Sequence, residues 1–315
     1  MDNILQAAGV DVSKAKLDVL AMETGEVFSA TRGVRSLGTL AKRLVKAGVT
    51  HVGMEYTGGY ERVVDEVLGK AGLDVRLLDP GRIRHYALAR GVLAKTDPLD
   101  ARAIGAFLQA FPDQGTYRKP ASAERIAQYL RVRELLLKSV AAIRNQLEHM
   151  REPELREFLE KRLDSEKAEL EAFDKRIAEV VAEDEGTAAS GALMRSVKGV
   201  GPVVVSTLLA LMPELGSLGP KQAARLARVA PVDNQSGKSV KRARVRGGRD
   251  GLGEALHMAA LSASRHNPAI GAFAERLLAA GKPHRLVMMA CARKLIVILN
   301  AILRDRKPWI DTLAA

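Results

Sequence analysis

The 315-residue chain contains a single cysteine, Cys291, and its six histidines are scattered, with no two at metal-ligand spacing on one helix. One thiol excludes an internal disulfide and every multi-cysteine zinc site. Any metal must then be held by oxygen ligands, a preference of magnesium or manganese. Cys291 lies in the apolar helical pattern Leu286-Val-Met-Met-Ala-Cys-Ala-Arg and reads as a small core residue. Long apolar runs are missing too, since none approaches the roughly 18 to 20 residues that span a bilayer. Met1-Asp-Asn-Ile lacks the basic start and apolar core of a secretory signal. Both absences predict a cytoplasmic protein with no membrane partner. Acidic residues are in deficit, with 37 Asp and Glu against 49 Lys and Arg. The net charge of +12 predicts a polyanionic partner, most often nucleic acid.

With 47% hydrophobic composition the chain can bury real cores, and its length suits two or three domains. From residue 5 to 110, short β-like runs alternate with helical stretches. Residues 7–12 and 17–22 read as a hairpin and 26–30 as a third strand. A helix over 37–47, a strand over 50–55, a helix over 58–71 and a strand over 73–78 follow, and helices over 81–90 and 98–110 close the region. Three sequential strands followed by strand–helix alternation is the order of a ribonuclease-H-like α/β domain, here residues 1–115. Residues 116–188 are charge-rich and aromatic-poor. Val140, Ile143, Leu147 and Met150, then Leu163, Leu170, Phe173, Ile177 and Val180, keep helical spacing on either side of Pro153. They predict two long antiparallel helices, either a linker with a solvated face or a dimerising coiled coil. Residues 189–315 read as a compact, mostly helical domain, with helix breaks at Pro268 and near Gly281-Lys-Pro283.

Four features carry chemistry. Lys95-Thr-Asp97-Pro-Leu-Asp100-Ala-Arg102 sets two carboxylates three residues apart where a helix begins. Pro98 suits the first turn, so Asp97 reads as the N-cap and Asp100 as a first-turn residue, and at that spacing the two converge on one point. Acids at a helix start also satisfy free N–H groups, and spacing alone does not choose between the roles. In a ribonuclease-H-like order the ends of the first and fourth strands hold Asp11 and Glu55. With Asp97 and Asp100 they make four carboxylates able to meet at one end of the sheet. Two metals roughly 3.5 to 4 Å apart there stabilise the attacking and leaving oxygens of a phosphodiester. Ser196-Val-Lys198-Gly199-Val-Gly201-Pro has the turn of a helix-hairpin-helix, whose backbone amides approach phosphate, or else joins two helices plainly. From Ala230 to Arg249 runs a small polar loop, and Lys238, Lys241, Arg242, Arg244, Arg246 and Arg249 follow one another there with no acidic residue between. That excess reads as phosphate-contacting rather than as a solvated face.

Gly9-Val-Asp11-Val-Ser-Lys, Met54-Glu55-Tyr-Thr-Gly, Lys95-Thr-Asp97-Pro-Leu-Asp100-Ala and Ala230-Pro-(four residues)-Ser236-Gly together resemble the DEDD-type insertion-sequence transposases, the bridge-RNA-guided serine recombinases. The resemblance extends over nearly the whole chain, including Met258-Ala-Ala-Leu-Ser-Ala-Ser-Arg-His-Asn-Pro. It implies a RuvC-like N-terminal domain with Asp11, Glu55, Asp97 and Asp100 as ligands of Mg2+ or Mn2+, and a C-terminal transposase domain with Ser236 as nucleophile. It also implies excision and insertion of a mobile element, DNA ends and a target, a structured guide RNA, and a dimer or tetramer with active sites composed between protomers. Two other readings stay open on the residues alone: a metal-dependent junction-resolving nuclease that uses water, and a non-catalytic RNA- or DNA-binding scaffold.

Overall fold

The computed structural model describes residues 5–56, 58–92, 97–115, 119–236, 239–245 and 247–310; the side chains of residues 97–98 and 232–244 lie outside that description. Contacts divide the chain into two compact units, Met1–Arg118 and Lys119–Ala315.

The first unit is built from β1 (Ala7–Val12), β2 (Lys16–Ala21), β3 (Val27–Thr31), α1 (Val34–Lys46), β4 (His51–Glu55), α2 (Glu61–Lys70), β5 (Asp74–Leu78), α3 (Pro80–Ala89) and α4 (Asp97–Ala110). The sheet order is β3-β2-β1-β4-β5. β1 to β3 pair antiparallel as a meander, and β4 and β5 add parallel to β1. This arrangement is compatible with a ribonuclease-H-like domain. Strand alternation separates the two faces. Ala8, Val10, Val12, Val19, Val52 and Met54 pack against Leu37, Leu40 and Leu44 of α1 and Val64 and Leu68 of α2. The α1 residues recur at intervals of three and four, so one stripe of the helix is apolar. Ile104, Phe107 and Leu108 of α4 pack with Ala7, Leu78 and Ile83 in a second cluster on the other side.

Close approach of α4 to the sheet requires Gly9. A Cβ there would lie 1.9 Å from the Ala101 carbonyl oxygen and 2.5 Å from the Gly105 amide nitrogen. Its ladder partner Gly53 faces Ile104 and Leu108. At the far end of the helix, Gln109 Nε2 donates to the Leu5 carbonyl at 3.1 Å. α4 therefore runs antiparallel to β1, with its N-terminus toward the end of the strand that bears Asp11.

The second unit contains α5 (Ala121–His149), α6 (Pro153–Ala182), α7 (Glu185–Arg195), α8 (Pro202–Leu211), α9 (Pro220–Leu226), β6 (Pro231–Ser236), β7 (Ser239–Val245), α10 (Leu252–His266), α11 (Pro268–Ala279) and α12 (His284–Asp305). Pro153, Pro202, Pro220 and Pro268 each stand in a first helical turn, where a missing N–H costs nothing. Asp184 and Asn267 cap α7 and α11 by accepting first-turn amides. Two long antiparallel helices are present as expected. Arg133 Nη2 donates to Asp174 Oδ2 at 3.1 Å, Arg125 pairs with Glu183, and Val140 and Ile143 pack with Leu163, so partners descend along α6 as they ascend along α5. The ends at Ile126 and Val180 root in the core formed by α7 to α12, while the far end closes on its own small cluster.

Two expectations need correction. First, residues 230–249 are not a loop, because β6 and β7 form an antiparallel hairpin with Ser236 paired to Ser239 across a two-residue connection. Val232, Val240 and Val245 supply the β-branched content that the run of charges had obscured. Second, α12 is long and apolar enough, by length and composition, to cross a membrane. Interspersed Arg293 and Lys294 break the apolar run in the sequence without lowering the average much. Within the unit 56% of that stretch is buried. Val287, Cys291, Leu295, Ile296 and Leu299 sit at the centre of the core, so α12 acts as a core helix.

Candidate active site

Asp11 lies at the end of β1 and Glu55 at the end of β4. The parallel register pairs Gly9 with Gly53 and Val10 with Met54, so the two acids occupy the next positions on neighbouring strands. Each stands two residues beyond a glycine that α4 covers, hence on the same face of the sheet. Asp100 immediately precedes Ala101, the residue that touches Gly9, in the first turn of α4. Asp97 opens the helix, and its side chain, with the capping role read for it, lies outside the described residues. Local folding thus delivers three of the four sequence-predicted carboxylates to one edge, by strand register for Asp11 and Glu55 and by glycine-permitted packing for Asp100. Hard carboxylate oxygens fit Mg2+ or Mn2+ in donor chemistry. Among the described residues, no three His, Cys, Asp or Glu side chains form a group that could hold a metal ion.

One acid at this edge was missed. Asp18 of β2 is the ladder partner of Asp11 and only 7% exposed. Its Oδ1 accepts from Ser29 Oγ at 2.8 Å, and its Oδ2 meets Lys16 Nζ at 2.9 Å. The available signal was a lone carboxylate inside the apolar strand Leu17-Asp-Val-Leu-Ala.

In the second unit, Ser236 ends β6 at the hairpin tip. Its side chain and those of Lys238, Lys241, Arg242, Arg244 and Arg246 lie outside the described residues, as do Gly237, Lys238 and Arg246 altogether. The hairpin base is fastened at both ends. The Val229 amide donates to the Ala224 carbonyl at 3.0 Å and the Arg249 amide to the Leu226 carbonyl at 2.8 Å, while Arg228 pairs with Asp250. The Arg249 guanidinium donates to the Leu211 carbonyl at 2.6 Å and to Glu214 at 2.9 Å. Arg249 thus clamps the hairpin, a role that its place in the basic run did not suggest.

The turn from 196 to 201 joins α7 to α8 and also serves packing. Gly199 has φ +97°, and a Cβ on it would lie 2.5 Å from the backbone of Ala263 in α10. Gly201 faces open space at the start of α8, whose first turn holds no acid, and Lys198 beside it is exposed. That is the electrostatic setting of an anion-accepting helix N-terminus.

Residues 8–152 match a family model described as Transposase, of the DEDD type. Residues 191–275 match another, described as Transposase IS116/IS110/IS902 family. Among curated proteins none matches the chain. The two matches fall in order along one chain, the first spanning the strands that carry Asp11 and Glu55 together with α4, the second spanning the serine-bearing hairpin. The chain belongs to the IS110 family of DEDD transposases, enzymes that act on DNA by strand transfer.

Proposed function

We propose that this transposase cuts and rejoins DNA through a covalent phosphoserine on Ser236, at a centre completed by divalent cations on Asp11, Glu55, Asp97 and Asp100, to excise and insert a mobile element. The observation that carries the reading is the shared face of Asp11 and Glu55 beneath the N-terminal turn of α4. When bound, the cations offset charge on the phosphodiester and lower the pKa of an attacking hydroxyl. The chain's own groups do the rest. Ser236 Oγ forms a bond to phosphorus as one strand P–O bond breaks, the serine proton passes to a base, and the departing sugar oxygen takes up a proton. Attack by a DNA hydroxyl on the phosphoserine reverses these changes, so strands rejoin without ATP. Lys238, Lys241, Arg242, Arg244 and Arg246 flank Ser236 in sequence and suit binding of the scissile phosphate, with Lys198, Gly199 and Gly201 as a backbone-phosphate contact.

The resemblance to bridge-RNA-guided recombinases supports a structured guide RNA as a second polyanion, with the protein at work in the cytoplasm. We divide the labour into a RuvC-like part over 1–115, a helical arm over 116–188 and a transposase part over 189–315. A dimer or tetramer then composes each centre from the serine of one protomer and the carboxylates of another.

Incubating the RNA-bound protein with DNA carrying the element ends and trapping with denaturant tests this reading. A protein–DNA adduct that disappears in Ser236→Ala supports it. Cleavage without an adduct, retained in Ser236→Ala, assigns the chain to water-using junction nucleases. Absence of any divalent-dependent cleavage, equally in Asp97→Asn and wild type, leaves a binding scaffold. Mixing Ser236→Ala with Asp11→Ala protein restores strand transfer if centres are shared between protomers, and an inactive mixture counts against sharing.

A further inference from the structure

Asp18 and Asp11 are two carboxylates directly opposite one another across the β1–β2 ladder, on the face that α4 covers. Like charges so placed destabilise a strand pair unless a cation balances them. Lys16 is that cation here, with its ammonium 2.9 Å from Asp18 Oδ2. It lies two residues along β2 from Asp18, hence on the same face and diagonal to Asp11, within the reach of a long side chain. Ser29, the ladder partner of Asp18 in β3, holds the other oxygen at 2.8 Å and so fixes the carboxylate's orientation toward Lys16.

We propose that Asp18 is a positioning residue that ties the Lys16 ammonium to itself and so keeps Asp11 available to a divalent cation. This rests on the reading of Asp11 as a metal ligand. A lysine carries its charge on a flexible four-carbon stem, and one diagonal step separates the two carboxylates it can serve. With Asp18 ionised and anchored by Ser29, the ammonium is held on the β2 side. Without that charge it moves to Asp11 and competes with the incoming cation for the same oxygens. Asp18 is buried and the cation is compact, so the competition takes place where solvent screens it weakly.

The test is titration of the purified full-length chain with Mn2+, followed by the paramagnetic resonance of the free ion, in the absence of DNA. Asp18→Asn keeps the shape and the acceptor for Ser29 while removing the charge that holds Lys16. Its half-saturating Mn2+ concentration is expected to rise about tenfold, ~1.4 kcal/mol. The double variant Lys16→Met with Asp18→Asn removes the competitor as well and is expected to return to within about twofold of wild type. Ser29→Ala, a milder change that lets the carboxylate turn, is expected to raise the concentration about threefold, and it provides a readout if Asp18→Asn does not fold. A merely structural Asp18 lowers the melting temperature without moving the Mn2+ requirement, and no recovery follows in the double variant; that pattern overturns the proposal. Asp11→Asn separates the two levels of inference. Unchanged Mn2+ binding in Asp11→Asn removes the metal-ligand reading itself, whereas binding lost in Asp11→Asn and unaltered in Asp18→Asn overturns only the role of Asp18.

Discussion

Replacement of Gly9 by alanine tests how the carboxylate edge is assembled. The added Cβ would sit 1.9 Å from the Ala101 carbonyl oxygen and 2.5 Å from the Gly105 nitrogen. Both are backbone atoms of one helix, so no rotamer change relieves the contact. An ordinary carbon–oxygen approach is about 3.3 Å, and α4 must therefore withdraw by about 1.4 Å. Overpacking of a core costs ~1–3 kcal/mol, and rigid backbone on both sides puts Gly9→Ala at the upper end. For a unit of this size that corresponds to a loss of about 10 °C in the unfolding transition of residues 1–118. The displaced helix carries Asp97 and Asp100, and a shift of about 1 Å in a positioned group costs on the order of 100-fold in rate. Calorimetry on the full chain reads the first effect, and strand transfer measured well below the transition reads the second. Gly38→Ala is the control, because a Cβ at Gly38 in α1 meets nothing within 4 Å. There the change to a better helix former should stabilise by about 0.5–1 kcal/mol. A Gly9→Ala protein as stable and as active as wild type would refute the packing of α4 on β1 and, with it, the route by which Asp100 reaches Asp11.

Three further outcomes follow from the second unit. Asn300 is 1% exposed, donates from Nδ2 to the Leu218 carbonyl at 2.8 Å and accepts from the Gly216 amide at 2.8 Å. Asn300→Ala strands two backbone groups and should lower stability by about 2–4 kcal/mol, read as a fall in the urea midpoint. Arg249→Ala removes the partner of the nearly buried Glu214 carboxylate and should cost about 2–3 kcal/mol; limited proteolysis should then cut first in the 231–245 hairpin, and Arg249→Lys should rescue little because lysine lacks the fork. Burial pushes the Cys291 thiol above its ordinary value of 9.0, with Lys294 pulling weakly the other way. The folded chain therefore holds the thiol proton more tightly than the unfolded chain. That contribution to stability is fully present below pH 9 and is lost as pH rises through the folded value, a decline that should flatten in Cys291→Ala. Iodoacetamide should label Cys291 at pH 8 only as urea unfolds the protein.

The strand order was legible because each strand of the first unit is short, β-branched or apolar, and set off by helices whose apolar residues recur at three and four. Observed boundaries differ from those read in the sequence by a few residues at most, as for α1, which starts at Val34 rather than 37. The β6–β7 hairpin was not legible, since its valines alternate with arginines and lysines, and charge outweighed β-propensity in the reading of that stretch. The double role of Gly199 was hidden for a different reason. A glycine in a turn announces backbone freedom, while the helix that needs its missing side chain, α10, comes some sixty residues later in the chain. Asp18 likewise gains its meaning only from register, because Asp11 and Asp18 become opposite partners once the turn at Ser13 closes with Ser13 and Lys16 hydrogen-bonded. At the site, position at strand ends was readable, whereas the pairing of acids with their cations was not.

Charge is divided along the chain in a way that bears on how the carboxylate edge meets DNA. Residues 1–118 hold 16 basic and 14 acidic side chains, residues 119–184 hold 13 and 15, and residues 185–315 hold 20 and 8. The whole excess of +12 therefore lies in the last part. Along α5 and α6 charges are matched in sequence, as in Lys138 with Glu134, Arg156 with Glu160 and Lys161 with Glu157, pairs that neutralise the arm locally. An edge of carboxylates in a nearly neutral unit repels a phosphodiester until cations occupy it, and the unit has little long-range field of its own to overcome that repulsion. Attraction must come from residues 185–315, the stretch that also carries the serine hairpin. Binding of DNA and the chemistry at the carboxylates are thus electrostatically separate tasks in this chain: the salt dependence of DNA affinity is set by the C-terminal cations, and the requirement for divalent ions by the edge at Asp11 and Glu55.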